Sequence, residues 1–124
     1  MFQVRLYLNW NNLRNVIHPC SKLNLAVGVP NKYTVDRLHA AKIPIANMIG
    51  HPKHAKYAIE AGVDIIIAQG MEAGGHTGSV PTTVLLPTVV DYVKGHKSPL
   101  TGEQIQVIAA GGIYNSRGLA TALS

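Results

Sequence analysis

The chain has 124 residues, of which 47% are hydrophobic and 14% charged, so it has room for one domain with a packed core. This composition excludes a disordered charged tail, and no apolar run reaches the roughly 18–20 residues of a membrane span. The single cysteine, Cys20, excludes an internal disulfide and favours a reducing, cytoplasmic location. The net charge of +5 comes from scattered lysines and arginines, so we expect no nucleic-acid partner.

Four short hydrophobic runs alternate with segments that suit helices. The first three runs begin at Leu23, Ile43 and Val63, and this period of twenty fits a strand, a loop and a three-turn helix. The predicted strands are Leu23–Val29, Ile43–Ile49, Val63–Gln69 and Gln106–Gly111. The predicted helices are Tyr33–Lys42, His54–Ala61, Val84–Lys94 and a last helix capped by Ser116. Because the runs are almost continuously hydrophobic, we predict a parallel sheet with strands buried on both faces.

Single residues mark the helix ends and the buried stripes. Pro52 suits a first helical position, where its missing N–H is harmless, and Gly62 suits the left-handed end of the same helix. Pro87 is tolerable only in the first turn of its helix. The predicted buried stripes are Ala55, Ala58 and Ile59, then Leu86, Val89, Val90 and Val93, and finally Leu119, Ala120 and Leu123.

Four consecutive strand–helix units fit two α/β architectures. One is an open doubly wound sheet, and the other is a (β/α)8 barrel, which typically needs about 250 residues. Residues 1–22 lack the pattern, although Phe2–Leu8 suits a strand. We therefore divide the chain into a divergent N-terminal segment, 1–22, and a βα domain, 23–124, that represents either a piece of a larger fold or a shortened member of it.

The loop after the third predicted strand contains a histidine among glycines, in the segment QGMEAGGHTG (69–78). Chemistry in parallel α/β folds takes place where strands end, so this loop is well placed. Glycines let a ligand approach the backbone closely, and His76 is a proton-transfer group that titrates near neutrality. The segment suits a flat or phosphorylated ligand, and equally a glycine-rich turn with an exposed histidine.

Two other loops follow strands. Gly111 and Gly112 come just before a helix start at Asn115 and Ser116, where backbone amides and the helix dipole favour a phosphate. A tight turn would need the same glycines. His51 and His54 are three residues apart, but no cysteine or carboxylate stands at ligand spacing, so we expect a solvated loop rather than a metal site.

Three segments carry a resemblance to a known family: AGVDIIIAQGMEAGGHTG (61–78), LLPTVVD (85–91) and VIAAGGI (107–113). Together they resemble the nitronate monooxygenases, formerly called 2-nitropropane dioxygenases. FMN-dependent enoyl-acyl-carrier-protein reductases share the pattern. The resemblance covers roughly residues 25–124, and it implies about four units of a partial TIM (β/α)8 barrel.

The resemblance also implies a reaction and a site. Family members use FMN and molecular oxygen to oxidise alkyl nitronates to a carbonyl compound and nitrite. The family's active-site histidine matches His76, and its flavin-contacting residues match Gln69 and Gly74, with Gly75 beside them. The phosphate-binding glycine pair matches Gly111 and Gly112. The implied partners are a small nitronate or nitroalkane and O2, with no membrane and a possible homo-oligomer.

Parts of the family pattern have no counterpart in this sequence. An early flavin-contacting asparagine has no match within residues 1–22, and the strand that completes the phosphate site has none either. Two alternatives therefore stand beside a nitronate monooxygenase that acts as part of a larger barrel. One is a non-catalytic, truncated remnant of the family, and the other is an enzyme like the FMN-dependent enoyl thioester reductases.

Overall fold

The structure is a computed structural model that describes residues 23–25 and 28–124. Within these described residues, four strands alternate with four helices. The strands are β1 (Leu23–Leu25), β2 (Ile45–Ile49), β3 (Ile65–Gln69) and β4 (Gln106–Ala110). The helices are α1 (Lys32–Ala40), α2 (Pro52–Ala61), α3 (Thr82–Val93) and α4 (Ser116–Leu123). The predicted strand at Phe2–Leu8 lies outside the described residues.

The four strands form one parallel sheet in the order β1-β2-β3-β4. Asn47 of β2 lies beside Ile66 of β3, which lies beside Val107 of β4. Parallel neighbours in sequential order confirm the predicted succession of βα units. All four carboxyl ends of the strands therefore lie at one edge of the sheet, and the loops that follow them meet there.

The hydrophobic core lies between the sheet and the helices. Its fully buried members include Ile45 and Ile66 from the strands and Leu85, Val89 and Val93 from α3. On β3, Ile66 and Ala68 are buried, while Ile65 and Ile67 are partly exposed on the opposite face. The prediction of burial on both faces is therefore wrong for β3, because the described residues provide helices on one face only.

Most predicted helix signals are confirmed, and three are wrong. Pro52 opens α2, and Gly62 ends it with a φ of 87°. Helix α3 begins at Thr82, so Pro87 lies in its second turn, where its missing N–H leaves the carbonyl of the exposed residue Thr83 without its helical donor. Asn115, not Ser116, caps α4.

The predicted stripe of α4 is also wrong. Ala122 is its buried residue, Ala120 is exposed, and Leu123 is 46% exposed. Helix α4 packs against α3, and the apolar side chains of Ala120 and Leu123 lie outside this contact and are exposed.

A buried carboxylate closes the amino-terminal edge of the sheet. Asp64 Oδ2 accepts a hydrogen bond from Ile45 N at 2.7 Å and lies 3.0 Å from His39 Nε2. Its Oδ1 accepts from Ser98 Oγ at 2.5 Å, and Ser98 is also buried. The carboxylate lies between the serine and the histidine, so His39 is not placed to take the serine proton, and the cluster is structural rather than nucleophilic.

No helix in the described part of the chain is long and apolar enough to cross a membrane. The cytoplasmic location stays a prediction.

Candidate active site

A cavity of about 240 Å³ opens at the carboxyl edge of the sheet. Loops that follow three successive strands line it. The lining residues that carry polar side chains are His51, Lys53, His54, Gln69, His76, Thr77 and Ser79. Two residues that the sequence analysis singled out, Gln69 and His76, are thus brought to one cavity, and no carboxylate is among its lining residues.

His76 and Gln69 are held differently. Gln69 is the last residue of β3, and its Nε2 donates to Gly74 O at 3.3 Å, which ties the strand end to the loop tip. His76 is exposed, and its imidazole makes no hydrogen bond to the residues that the structure describes. The ring is therefore available to a ligand. Gly74 and Gly75 are exposed at the loop tip and do not line the cavity.

The start of α2 supplies the opposite side of the cavity. His51 caps this helix, since its Nδ1 accepts from Lys53 N at 3.2 Å. His54 is half-buried, with its ring centroid 5.8 Å from that of His51. Desolvation by burial, followed by the charges of Lys53 and His51, holds the pKa of His54 below 6.5. The expectation of a solvated loop is therefore incomplete, because these side chains line the same cavity as His76.

The region around His51 and His54 offers no further ligands for a metal ion among the described residues. Among the described residues, no group of three or more histidine, cysteine, aspartate or glutamate side chains is placed to hold a metal ion. His51 and His54 stand beside a lysine, whose positive charge opposes a cation.

Asn47 positions another part of the cavity wall. This residue is fully buried on β2, and its Nδ2 donates to Gly28 O at 2.8 Å. Gly28 follows β1 and lines the cavity. Asn47 was not predicted as a site residue, although a polar residue inside a hydrophobic run is a recognisable signal.

Gly111 and Gly112 form a turn with free amides. Their φ angles are 99° and 74°, which only glycine adopts readily. The amides of Gly112, Ile113 and Tyr114 donate to no acceptor within the described residues. Successive unpaired amides in such a turn suit an anion.

The amides at the start of α4 contribute less to an anion site than predicted. Asn115 Oδ1 accepts from Arg117 N at 3.1 Å and from Gly118 N at 3.0 Å. These amides of α4 are therefore already capped, and the donors that suit a phosphate lie in the turn before the helix.

The glycine turn does not line the cavity of His76. Gly111 and Gly112 border a second cavity of about 460 Å³ between α3 and α4, whose largely apolar lining also includes Glu72 and Asp91. The loop of residues 70–78 lies between the two regions, and a Cβ built on Gly111 would lie 2.8 Å from Ala73 N. Glu72 and Thr82 connect the regions through hydrogen bonds, and neither residue was predicted from the sequence.

Comparison with known proteins identifies the family. The sequence model of the nitronate monooxygenase family matches residues 13–124. The chain belongs to the nitronate monooxygenase family. A probable nitronate monooxygenase of Staphylococcus haemolyticus is 36% identical over 74% of this chain and 26% of its own length. A (3aS,4S,5R,7aS)-5-hydroxy-7a-methyl-1-oxo-octahydro-1H-indene-4-carboxyl-CoA dehydrogenase of Rhodococcus jostii is 45% identical over 77% of this chain and 24% of its own length.

Solved structures share the fold. FabK from Thermotoga maritima matches with a TM-score of 0.68 and 34% identity, over 82% of this chain and 29% of its own. A nitroalkane oxidase from Streptomyces ansochromogenes matches with a TM-score of 0.67 and 30% identity, over 83% of this chain and 31% of its own. The nitronate monooxygenase family member described here therefore forms part of a (β/α)8 barrel and spans about a quarter of the curated relatives' length.

The partial barrel explains the half-exposed face of β3. In a complete barrel, inward side chains from all eight strands fill the interior. Ile65 and Ile67 belong to that inner face, and four strands cover it incompletely. The family-model match begins at residue 13, whereas a domain boundary between residues 22 and 23 stays a prediction.

Proposed function

We propose that this protein, as part of a longer barrel, uses FMN to oxidise alkyl nitronates with O2 to a carbonyl compound and nitrite. Membership of a family of flavin oxidoreductases supports the reaction class. The single observation that carries the proposal is the cavity that brings His76 and Gln69 together opposite Lys53, with no carboxylate among its lining residues. Such a lining suits an anionic nitronate better than a cation.

The residues present fit FMN. The free amides of Gly112, Ile113 and Tyr114 supply donors for a phosphate, and the positive φ of Gly111 and Gly112 sets the conformation of that turn. Gln69 supplies an amide at the end of β3, beside His76. When bound, the flavin supplies electron transfer, and the protein supplies binding, orientation and electrostatics.

His76 is the residue that we assign to proton handling. Its imidazole is exposed to the cavity and makes no hydrogen bond to the described residues, so either ring nitrogen can face a substrate. A neutral imidazole can accept the proton from the α-carbon of a nitroalkane. With a preformed nitronate that step is unnecessary, and the ring would donate a hydrogen bond that orients the nitronate oxygens.

The two roles of His76 are separable by experiment. We expect H76Q to lower kcat/KM for a neutral nitroalkane by about 10²–10⁴-fold, which is the usual contribution of a general base. The loss for the corresponding nitronate should be far smaller. H96Q changes an exposed histidine outside the cavity and serves as the matched control. Equal activity of H76Q and the parent on the neutral nitroalkane would refute the base role.

A second candidate function is oxidoreduction of an acyl thioester. The observation that favours it is the higher identity to two carboxyl-CoA dehydrogenases, 45% and 48%, than to the probable nitronate monooxygenases, 36–38%. An enoyl thioester reductase of the same fold belongs to this candidate. The reductase needs a nicotinamide cofactor as its electron source, a dehydrogenase needs an electron acceptor, and nitronate oxidation needs O2.

Substrate pairs distinguish these candidates. NADH oxidation that depends on an enoyl thioester, without nitrite formation, would support the thioester enzyme. Nitrite formation from a nitronate in air would support the nitronate monooxygenase. A protein that binds no FMN would support the third alternative, a non-catalytic remnant.

A further inference from the structure

Glu72 supplies the cap that helix α3 lacks locally. The helix begins at Thr82, and the residue before it, Pro81, has no side chain that can accept a hydrogen bond. Glu72 reaches this position from the loop after β3, and its two carboxylate oxygens lie 2.9 Å and 3.2 Å from Thr82 N. A carboxylate at a helix start is stabilised by the unpaired amides and by the helix dipole.

The Thr82 hydroxyl extends this contact to the glycine turn. Thr82 Oγ1 lies 2.9 Å from Glu72 Oε2 and 2.9 Å from Gly111 O. The Thr82 backbone amide, as the largest cause, holds the pKa of Glu72 below 4.5, so the group is an acceptor at neutral pH. The hydroxyl has one proton and two acceptors, and it therefore connects residues 72 and 111 as a shared donor.

Close packing keeps these atoms in place. A Cβ built on Gly70 would overlap Thr82 Oγ1 and lie 2.6 Å from Glu72 Oε2. A Cβ built on Gly112 would lie 3.4 Å from the Glu72 Cβ. Thr82 is 7% exposed, so water competes little for its hydroxyl. The loop that contains His76 and the turn of Gly111 and Gly112 thus both contact the buried Thr82, whereas Glu72 itself is exposed.

We infer that Glu72 and Thr82 are positioning residues that fix the Gly111–Gly112 turn relative to the His76 loop, so that one flavin can meet both. This inference rests on the proposed function, because the flavin phosphate is placed at the turn and the flavin ring near Gln69 and His76. If Glu72 and Thr82 only stabilised α3, their removal would leave the distance between the Gly111–Gly112 turn and the His76 loop unchanged.

The test compares FMN with riboflavin, which lacks the phosphate. We expect T82V to weaken FMN binding about five- to tenfold, the value of one hydrogen bond. Riboflavin binding should stay within twofold of the parent. T82S keeps the hydroxyl and should restore the preference for FMN. T88V, also on α3, removes a hydroxyl that donates to Val84 O and is the matched control.

The outcomes decide between positioning and general stabilisation. Equal weakening of FMN and riboflavin by T82V, or no weakening of either, would overturn the inference. The readout is a dissociation constant from flavin fluorescence, so it does not depend on turnover. A parent protein that binds neither flavin would instead refute the proposed function.

A second measurement needs no flavin. Amide NMR shifts or hydrogen exchange of Gly111, Gly112 and Ile113 should change in T82V and not in T88V or T82S. Unchanged amides in T82V would overturn the connection between the loops even if the protein binds no flavin.

Discussion

The backbone of Gly50 lies directly against the backbone of Gly78. A Cβ built on Gly50 would lie 2.7 Å from Gly78 N, and a Cβ built on Gly78 would overlap Gly50 O. Neither glycine has a positive φ, so space rather than backbone conformation excludes a side chain here. The turn after β2 and the end of the His76 loop therefore approach each other as closely as two backbones can.

Because of this contact, we expect a methyl group added at Gly78 to lower the stability of the protein strongly. We expect G78A to destabilise the protein by about 1–3 kcal/mol, since the clash is with backbone that cannot rotate away. It should also move His76 relative to His51 and lower catalytic activity. G74A is the unfolding control, because a Cβ at Gly74 meets nothing within 4 Å. Equal unfolding free energies for the two variants would contradict the packing.

The Glu72 cap predicts a pH dependence of stability. Because the folded-state pKa of Glu72 is lowered, its contribution is full above the ordinary value of 4.5 and is lost as pH falls through the lower, folded-state pKa. The parent should therefore exceed E72Q in unfolding temperature at neutral pH, and the difference should vanish in acid. E60Q, on exposed α2 surface, is the control. A parent–E72Q difference that is independent of pH would contradict the cap.

The neighbourhood of His54 predicts a titration shift. We expect the NMR midpoint of the His54 imidazole to lie below 6.5. K53Q should raise it, because one of the charges that lower this pKa is removed, and K56Q on the same helix should not. K53Q should also raise KM for an anionic nitronate about two- to fivefold. An unmoved midpoint in K53Q would show that Lys53 does not act on this side of the cavity.

The buried cluster at Asp64 should affect stability and leave flavin binding alone. S98A removes the donor to Asp64 Oδ1 and should destabilise the protein by about 1–3 kcal/mol. The cluster lies at the amino-terminal edge of the sheet, opposite the glycine turn, so FMN affinity should not change. S116A, at an exposed serine, is the control for unfolding. Loss of FMN affinity in folded S98A would contradict this separation.

The alternation of strands and helices was predictable because each unit carries its own local signals. Hydrophobic runs located β2, β3 and β4 to within two residues, and Pro52 and Gly62 fixed both ends of α2. The start of α3 was not predictable in this way. Its cap comes from Glu72, ten residues earlier, whereas capping rules consider neighbouring positions. For the same reason, the helix start was predicted two residues too late, at Val84, and Pro87 was wrongly expected in the first turn.

The candidate site was predictable only in part. The glycine-rich motif indicated His76 and Gln69, and the cavity brings them together. His51, Lys53 and His54 were not assigned to it, because they come from a different loop and meet His76 only through the parallel sheet. In the Asp64 cluster, His39 is 25 positions and Ser98 is 34 positions away from Asp64 in the sequence. No local sequence pattern indicates such contacts.

The central claim is tested most directly by measuring nitrite formation by the purified protein with FMN, ethyl nitronate and air. The control sample lacks the nitronate and instead contains NADH with an enoyl thioester. We expect the protein to bind FMN. We expect nitrite to accumulate, with O2 consumption, only in the sample that contains the nitronate. Bound FMN without nitrite, together with thioester-dependent NADH oxidation, would contradict the proposed function.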